Sequence, residues 1–218
     1  MDGGYATHLV ADSRYCLPLG EALRNAAATP LLCAGLIGFR SLRMAGRAPA
    51  LGIYGFGSAA HILTQVARSR GQRVFAFTRP GDVAAQAFAR EMGAAWAGGS
   101  DTRPPELLDA AIIFAADGTL VPRALRDVKP GGRVVCGGIH MSDIPGFPYR
   151  DLSGERQILS VANLTRADGR DFLEIANSVR IETRIRRYPL AQANRALADL
   201  RSGNVTGAAV LLCAEDAG

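Results

Sequence analysis

Short apolar runs alternate with amphipathic stretches through the middle of the chain. The run Ala50–Tyr54 leads through glycines into residues 58–70, where Ala59, Ile62, Leu63 and Val66 recur at helical spacing. The pattern predicts helices over residues 58–70, 83–92 and 120–128, alternating with strands over Ala50–Tyr54, Arg73–Thr78 and residues 94–97, 109–115, 133–138 and 157–162.

This alternation predicts an α/β fold built on a doubly wound parallel sheet, which binds its ligand at the carboxyl ends of the strands near the first and fourth. The two chain ends do not fit that sheet. We expect a strand with a polar excursion over residues 1–19, helices over 167–179 and 190–202, and strands over 183–188 and Ala208–Leu212. These flanks suggest a second domain that the chain leaves and re-enters.

The composition is that of an ordinary globular protein, with 48% hydrophobic and 21% charged residues among 218. The net charge of +5 comes from scattered arginines with a single lysine, Lys129, so no nucleic-acid footprint is indicated. No leader or membrane-spanning pattern is found, and we expect a cytoplasmic protein. The cysteines form no CxxC pair, and most are expected to be buried, reduced thiols: Cys16, Cys33, Cys136 and Cys213.

The first strand leads into a GxGxxA turn formed by Gly55, Gly57 and Ala60. Gly55 permits a tight turn, Gly57 lets the backbone approach a phosphate, and Ala60 allows the helix to pack closely on the strand. Because a helix N-terminus offers free N–H groups and a positive dipole end, the turn predicts a dinucleotide site. The alternative is an ordinary tight turn between a strand and a helix.

Several blocks along the chain resemble the zinc-dependent medium-chain alcohol dehydrogenases, particularly their bacterial branch. The blocks are DGGYATHLVAD (2–12), PLLCAG (30–35), GIYGFGSAAH (52–61), VKPGGRVVCGGIHMSDIP (128–145), SVANLTRADGRDFL (160–173) and GNVTGAAVLL (203–212). The resemblance implies a Rossmann domain set within a GroES-like catalytic domain. It also implies reversible hydride transfer between an alcohol or aldehyde and NAD or NADP. The expected division is residues 1–30 and 166–218 as parts of the catalytic domain and 31–165 as the Rossmann domain.

The resemblance assigns candidate site residues position by position. Cys33 matches the third ligand of the family's catalytic zinc. The pyrophosphate turn is matched by Gly55, Gly57 and Ala60, with Ser58 and Ala59 supplying backbone donors, and the chain near the nicotinamide is matched by Ala115, Ala116, Gly138 and Ile139.

The end of the second strand bears on the choice of cofactor. An NAD site would place a carboxylate there to bind the ribose hydroxyls, whereas this chain has Thr78 followed by Arg79. A hydroxyl and a guanidinium suit a 2′-phosphate, so the sequence favours NADP over NAD. The alternative is that Arg79 is only a solvated strand end.

The remaining polar candidates have plainer interpretations. His8 is expected at the surface and His61 in a packing or surface role. His140 follows the fifth strand near the expected ligand, and a structural role in its loop is favoured over contact with the ligand. Asp168 is interpreted as part of a helix start with capping charge.

The resemblance also implies that the chain lacks the amino-terminal part of the catalytic domain. In the family that part carries two catalytic zinc ligands, the proton-relay hydroxyl and the structural-zinc cysteines, so no catalytic residue is assigned and zinc is not expected to be held by this chain alone. Ala208 also stands near where the family often has an arginine. Three functions stay open: an alcohol dehydrogenase that pairs into homodimers or tetramers, an inert nucleotide-binding module, and a zinc-free relative of the quinone reductases.

Overall fold

The computed structural model describes residues 4–213, and its core is a parallel six-stranded sheet in the order β3-β2-β1-β4-β5-β6. This order is that of the Rossmann fold, so the predicted α/β doubly wound sheet is confirmed. The strands are β1 (Ala50–Tyr54), β2 (Arg73–Thr78), β3 (Trp96–Gly99), β4 (Leu108–Ile113), β5 (Val128–Cys136) and β6 (Gln157–Ser160).

Helices cover both faces of the sheet because the buried strands alternate their side chains between two cores. Leu51 and Ile53 of β1 join the core beneath α1, α2 and α6, whereas Tyr54 joins the core beneath α4. The helices are α1 (Ala34–Ala45), α2 (Ser58–Ser69), α3 (Val83–Glu91), α4 (Leu120–Asp127), α5 (Tyr149–Leu152), α6 (Arg166–Ser178) and α7 (Ala193–Arg201). No helix among residues 4–213 is both long and apolar enough to cross a membrane.

The carboxyl-terminal region follows the predicted order of elements. After α6, the strand β7 (Ile185–Pro189) pairs in parallel with β8 (Ala208–Leu212) to form a separate two-stranded sheet. The region is attached to the main sheet through α6, since the Phe172 ring packs against Phe39 of α1 with centroids 5.7 Å apart. Residues 214–218, the end of the predicted last domain, lie outside the described residues.

Two expectations about the flanks and cysteines are wrong. Residues 4–19 form no strand, because no described strand lies beside them to take up their hydrogen bonds. Their regular structure is one short 3-10 turn, Ser13–Tyr15, while residues 1–3 of the predicted strand lie outside the described residues. Of the four free cysteines only Cys136 is buried, and the other three are exposed: Cys16, Cys33 and Cys213.

Candidate functional site

Three loops meet at the carboxyl edge of the sheet, where β1 and β4 lie side by side. The Ala115 N–H donates a hydrogen bond to the Tyr54 carbonyl (3.2 Å), and the Gly138 N–H donates one to the Ile113 carbonyl (3.0 Å). Gly55 has φ +89°, and a Cβ atom built on it would lie 2.8 Å from the Ala115 nitrogen. The structure therefore brings the predicted residues Gly55, Ala115 and Gly138 together.

Gly57 directly precedes α2 and faces open space. It is the N-cap of the helix without a side-chain capping bond, and a Cβ atom built on it would meet no atom within 4 Å. Its φ of −114° is accessible to any residue, so conformation does not require a glycine here. Ser58 and Ala59 form the first turn above it, and Ala60 is fully buried against the sheet. The arrangement leaves room for an anion at the helix N-terminus.

Thr78 ends β2, the strand adjacent to β1, and Arg79 follows directly; their roles differ. The Thr78 side chain is buried, and its hydroxyl lies within hydrogen-bonding distance of the Arg79 carbonyl (3.1 Å) and the Gly98 carbonyl (3.4 Å). Its oxygen also accepts a hydrogen bond from the Gln86 amide (3.4 Å). Arg79 is exposed and forms no ion pair within residues 4–213. The guanidinium, rather than the hydroxyl, is the group available to a ligand.

The loop after β5 borders an open depression, and the loop after β4 lies beside that loop. Ala115 is half-buried, Ala116 is exposed, and Ile139 is 75% exposed. A depression of about 570 Å³ lies at the ends of β5 and β6, with Cys136, Gly138, Met141 and Ser142 among its lining residues. The Gly118 N–H donates a hydrogen bond to the Ser142 hydroxyl (2.9 Å), which holds the loop after β5 beside the loop after β4. His140, in the same loop, is exposed.

The sequence predicts a packing or surface role for His61, and the structure shows a packing role. Its side chain is fully buried, and burial lowers its pKa. Its Nδ1 lies 3.2 Å from the Gly57 carbonyl oxygen, and its Nε2 lies 3.4 Å from the Arg184 nitrogen. The position of His61 on the first turn of α2 indicates that it lies near the glycine turn. Its contact with Arg184 could not be predicted from local sequence, because Arg184 is far along the chain.

Cys33 is the N-cap of α1 and is exposed. A catalytic zinc ion needs three protein ligands. No group of three or more His, Cys, Asp or Glu residues that could hold a metal ion occurs within residues 4–213. The described residues therefore do not by themselves fit the family's catalytic zinc.

Comparison with known proteins relates the chain to alcohol dehydrogenases. It is 45% identical over 214 residues to a probable alcohol dehydrogenase of Mycobacterium tuberculosis, a match that covers 97% of this chain and 61% of that protein. It is 28% identical to an alcohol dehydrogenase of Geobacillus stearothermophilus, over 99% of this chain and 66% of that protein. The chain thus spans less than two thirds of the length of these relatives. No protein-family model matches it.

Solved structures share the fold at low sequence identity. An acetophenone reductase of Geotrichum candidum in complex with NAD superposes with a TM-score of 0.79 and 21% identity, over 89% of this chain and 58% of that chain. A cinnamyl alcohol dehydrogenase of Sorghum bicolor has a TM-score of 0.77 and 21% identity, over 91% and 58%. The protein CAD of Helicobacter pylori, complexed with NADP(H), has a TM-score of 0.71 and 18% identity, over 85% of this chain and 54% of that chain. The chain's homologues are alcohol dehydrogenases of the medium-chain zinc family, and its fold agrees with theirs.

Proposed function

We propose that this chain binds a nicotinamide dinucleotide at the carboxyl edge of its sheet and forms the nucleotide-binding part of an NAD(P)-dependent alcohol dehydrogenase. The observation that carries the proposal is the open space at Gly57, directly over the N-terminus of α2. A small residue is needed there only if another molecule approaches the backbone. The diphosphate of a dinucleotide is the group that such helix ends bind in this fold.

The cofactor would extend along the edge of the sheet from this point. The diphosphate would accept hydrogen bonds from the backbone of Ser58 and Ala59, and the adenine ribose would lie toward Arg79. The nicotinamide would lie toward two loops, formed by Ala115 and Ala116 and by Gly138 and Ile139. When bound, the cofactor would exchange a hydride with the carbon of a small-molecule alcohol or aldehyde. The chain's own contribution is to bind and orient it.

We favour NADP over NAD because the exposed Arg79 guanidinium forms no ion pair in the described part of the chain. A guanidinium binds a phosphate through charge-assisted hydrogen bonds, whereas NAD offers only hydroxyls at that position. Two proteins of the same fold were solved with different cofactors, one with NAD and one with NADP(H), so the fold itself does not decide.

The division of the chain and its setting are part of the same proposal. Residues 31–165 would form the Rossmann domain, and residues 1–30 and 166–218 would belong to a GroES-like catalytic domain. Zinc would be needed by the whole enzyme and would use Cys33 only together with ligands from outside residues 4–213. We expect a cytoplasmic enzyme that forms homodimers or tetramers and has no nucleic-acid or membrane partner.

A second candidate is a nucleotide-binding module without redox activity, favoured by the isolation of Cys33 within residues 4–213. Oxidation of an alcohol by the purified chain, with and without added zinc, tests this second candidate. We expect negligible turnover, because a single thiolate does not hold zinc in a defined geometry. Robust turnover would rule out the inert module.

Calorimetric titration of NADP⁺ and NAD⁺ into the purified chain tests the binding site itself. We expect binding by the native chain and at least a tenfold weaker affinity in Gly57→Asp, because a carboxylate would repel the diphosphate. The open space and the φ of −114° at Gly57 allow this variant to fold, which circular dichroism checks. Gly146→Asp, also in open space but in the loop between β5 and β6, controls for the added charge. Failure of the native chain to bind either nucleotide at millimolar concentration would refute the proposal.

A further inference from the structure

His61 connects the glycine turn to a distant part of the chain, because one ring nitrogen donates a hydrogen bond and the other accepts one. Its Nδ1 lies 3.2 Å from the Gly57 carbonyl oxygen, which can only accept a hydrogen bond. Its Nε2 lies 3.4 Å from the Arg184 backbone nitrogen, which can only donate one. Both contacts are satisfied only by a neutral imidazole with its proton on Nδ1. The structure thus specifies both the charge and the tautomer of this side chain.

The surroundings of His61 favour the neutral form. The side chain is fully buried, and the Phe88 ring lies against it with centroids 5.7 Å apart. Burial lowers its pKa, and the positive charge of Arg184 lowers it further, although backbone hydrogen bonds at Gly57 and Ser58 oppose this. The Arg184 guanidinium itself is paired with the Glu91 carboxylate at the surface.

The imidazole of His61 is a partner for the Gly57 peptide, which has no side-chain capping bond at the start of α2. Its carbonyl accepts the first hydrogen bond of α2, from the His61 N–H (3.1 Å), and the imidazole adds a second bond to the same oxygen. The orientation of this peptide fixes where the helix begins. The N–H groups of Ser58 and Ala59, proposed above as donors to the diphosphate, follow directly.

The other end of the connection is held one helical turn further along α2. The Gln65 amide donates to the Glu182 carbonyl (2.8 Å), and its oxygen accepts from the Glu182 N–H (2.8 Å). The Thr183 hydroxyl donates to the Ala27 carbonyl (2.6 Å). The segment 182–184, which leads into β7, is therefore fixed on α2 at two points, by His61 and by Gln65.

We propose that His61 is a positioning residue for the dinucleotide, which holds the Gly57 peptide in its binding orientation through Nδ1 and makes that orientation depend on the docking of residues 182–184 through Nε2. This inference rests on the proposed nucleotide site. It adds that affinity for the cofactor is set partly by a segment outside the site, and that Gln65, which does not belong to the glycine turn, contributes to it.

Nuclear magnetic resonance of the nucleotide-free chain, labelled with ¹⁵N in histidine, tests the geometry without any substitution. Long-range ¹H–¹⁵N spectra distinguish the tautomers, and we expect His61 to be neutral with its proton on Nδ1 at pH 7.5. A proton on Nε2, or on both nitrogens, would overturn the inference whether or not the chain binds a nucleotide.

Titration of NAD⁺ into variants of α2 tests the functional part. His61→Asn places an amide donor where Nδ1 stands and keeps the contact with Gly57, whereas His61→Gln extends to the position of Nε2 and loses it. We expect His61→Gln to bind about tenfold more weakly than the native chain and His61→Asn to recover most of that loss, the scale of one hydrogen bond. Equal affinities in the two variants would overturn the assignment.

Gln65→Ala and Thr64→Val complete the set. Gln65→Ala releases Glu182, removes a hydrogen bond from the Gln65 amide to the His61 carbonyl (3.0 Å) and should weaken NAD⁺ binding severalfold, although Gln65 lies outside the glycine turn. Thr64 is a buried neighbour on the same helix whose hydroxyl has no partner among the described residues, so Thr64→Val should bind as the native chain does. Native affinity in Gln65→Ala would overturn the coupling. Failure of the native chain to bind either NAD⁺ or NADP⁺ would instead refute the proposed function, and the tautomer would remain as the test of this geometry.

Discussion

The Tyr54 hydroxyl donates a hydrogen bond of 2.6 Å to the Asp127 carboxylate, and both side chains are buried. Burial raises the pKa of Asp127, and burial together with the Asp127 charge raises the pKa of Tyr54. The Tyr54 ring also stacks on Phe77 of β2 with centroids 4.0 Å apart. Since Tyr54 is the last residue of β1, these contacts fix the strand end from which the glycine turn starts.

Tyr54→Phe should destabilise the chain by about 1–3 kcal/mol, because it leaves a buried carboxyl group without its partner. Urea denaturation followed by circular dichroism measures the loss. Tyr188→Phe is the matched control: its hydroxyl also bonds a carboxylate, Asp199 (2.9 Å), but that carboxylate is partly exposed and water can replace the lost partner. A larger loss in Tyr188→Phe than in Tyr54→Phe would contradict this explanation.

The alternation of short apolar runs was sufficient to predict the sheet and most of its helices. β2 and β8 have the predicted bounds, because turn residues or a polar residue stand at their ends. β3 begins two residues later than predicted and includes Gly98 and Gly99, which are poor strand formers. Their pairing with Phe77 and Thr78 of β2 holds them in the sheet, and such a contact is not visible in local sequence.

The helix α1 was not predicted, for a similar reason. Its N-cap, Cys33, forms no side-chain capping bond, and its first turns contain Gly35 and Gly38, which disfavour a helix. Gly35 is required by packing, since a Cβ atom there would lie 2.6 Å from the Phe172 ring of α6. The helix therefore depends on a contact between residues far apart in the sequence.

The candidate site was predictable where it depends on the backbone and not where it depends on side-chain partners. The glycine spacing gave the position of the turn. The contact between the Thr78 hydroxyl and the Gly98 carbonyl depends on the register between β2 and β3. The contact between His61 and Arg184 depends on the path of the chain between α6 and β7. Neither contact therefore follows from a local sequence pattern.

Gly55→Ala should destabilise the fold by about 1–3 kcal/mol. The residue has φ +89°, which side chains disfavour, and its Cβ atom would lie 2.8 Å from the Ala115 nitrogen. Gly57→Ala, two residues away in open space, should stay within about 0.5 kcal/mol of the native chain. Thermal and urea denaturation without nucleotide compare the two. Equal losses of stability in the two variants would contradict the assignment of a conformational role to Gly55 and of open space at Gly57.

Arg79→Ala should weaken NADP⁺ binding by about 1.5–3 kcal/mol, the scale of a hydrogen bond to a charged group, and leave NAD⁺ binding almost unchanged. Isothermal titration with both cofactors measures the difference. Arg47→Ala removes an equally exposed arginine that precedes β1 at the opposite edge of the sheet, and it should affect neither cofactor. Equal losses for the two cofactors in Arg79→Ala would refute the preference for NADP.

Asp168 combines a helix cap with an ion pair in which the carboxylate is buried and the arginine partners are partly exposed. Its carboxylate forms a capping box with Thr165 at the start of α6, and it lies 3.5 Å from Arg40 and 3.2 Å from Arg43 of α1. Burial acts to raise its pKa, but the hydrogen bonds from Thr165 and the two arginine charges outweigh burial, so the pKa is lowered. The sequence predicted the cap, and the fold adds the link between α6 and α1.

Asp168→Asn should cost about 1–3 kcal/mol at pH 7, since it removes the charge of a buried carboxylate that accepts hydrogen bonds from Thr165 and pairs with two partly exposed arginines. Asp171→Asn, which removes the 53% exposed partner of Arg43, should cost at most about 1 kcal/mol. Because the folded pKa of Asp168 is lowered, its contribution is complete above the ordinary value of 3.8 and is lost as the pH falls through the lowered pKa. Urea denaturation at pH 7 and pH 3 should therefore show a smaller acid loss in Asp168→Asn than in the native chain. An unchanged acid loss would mean that another carboxylate carries the acid sensitivity.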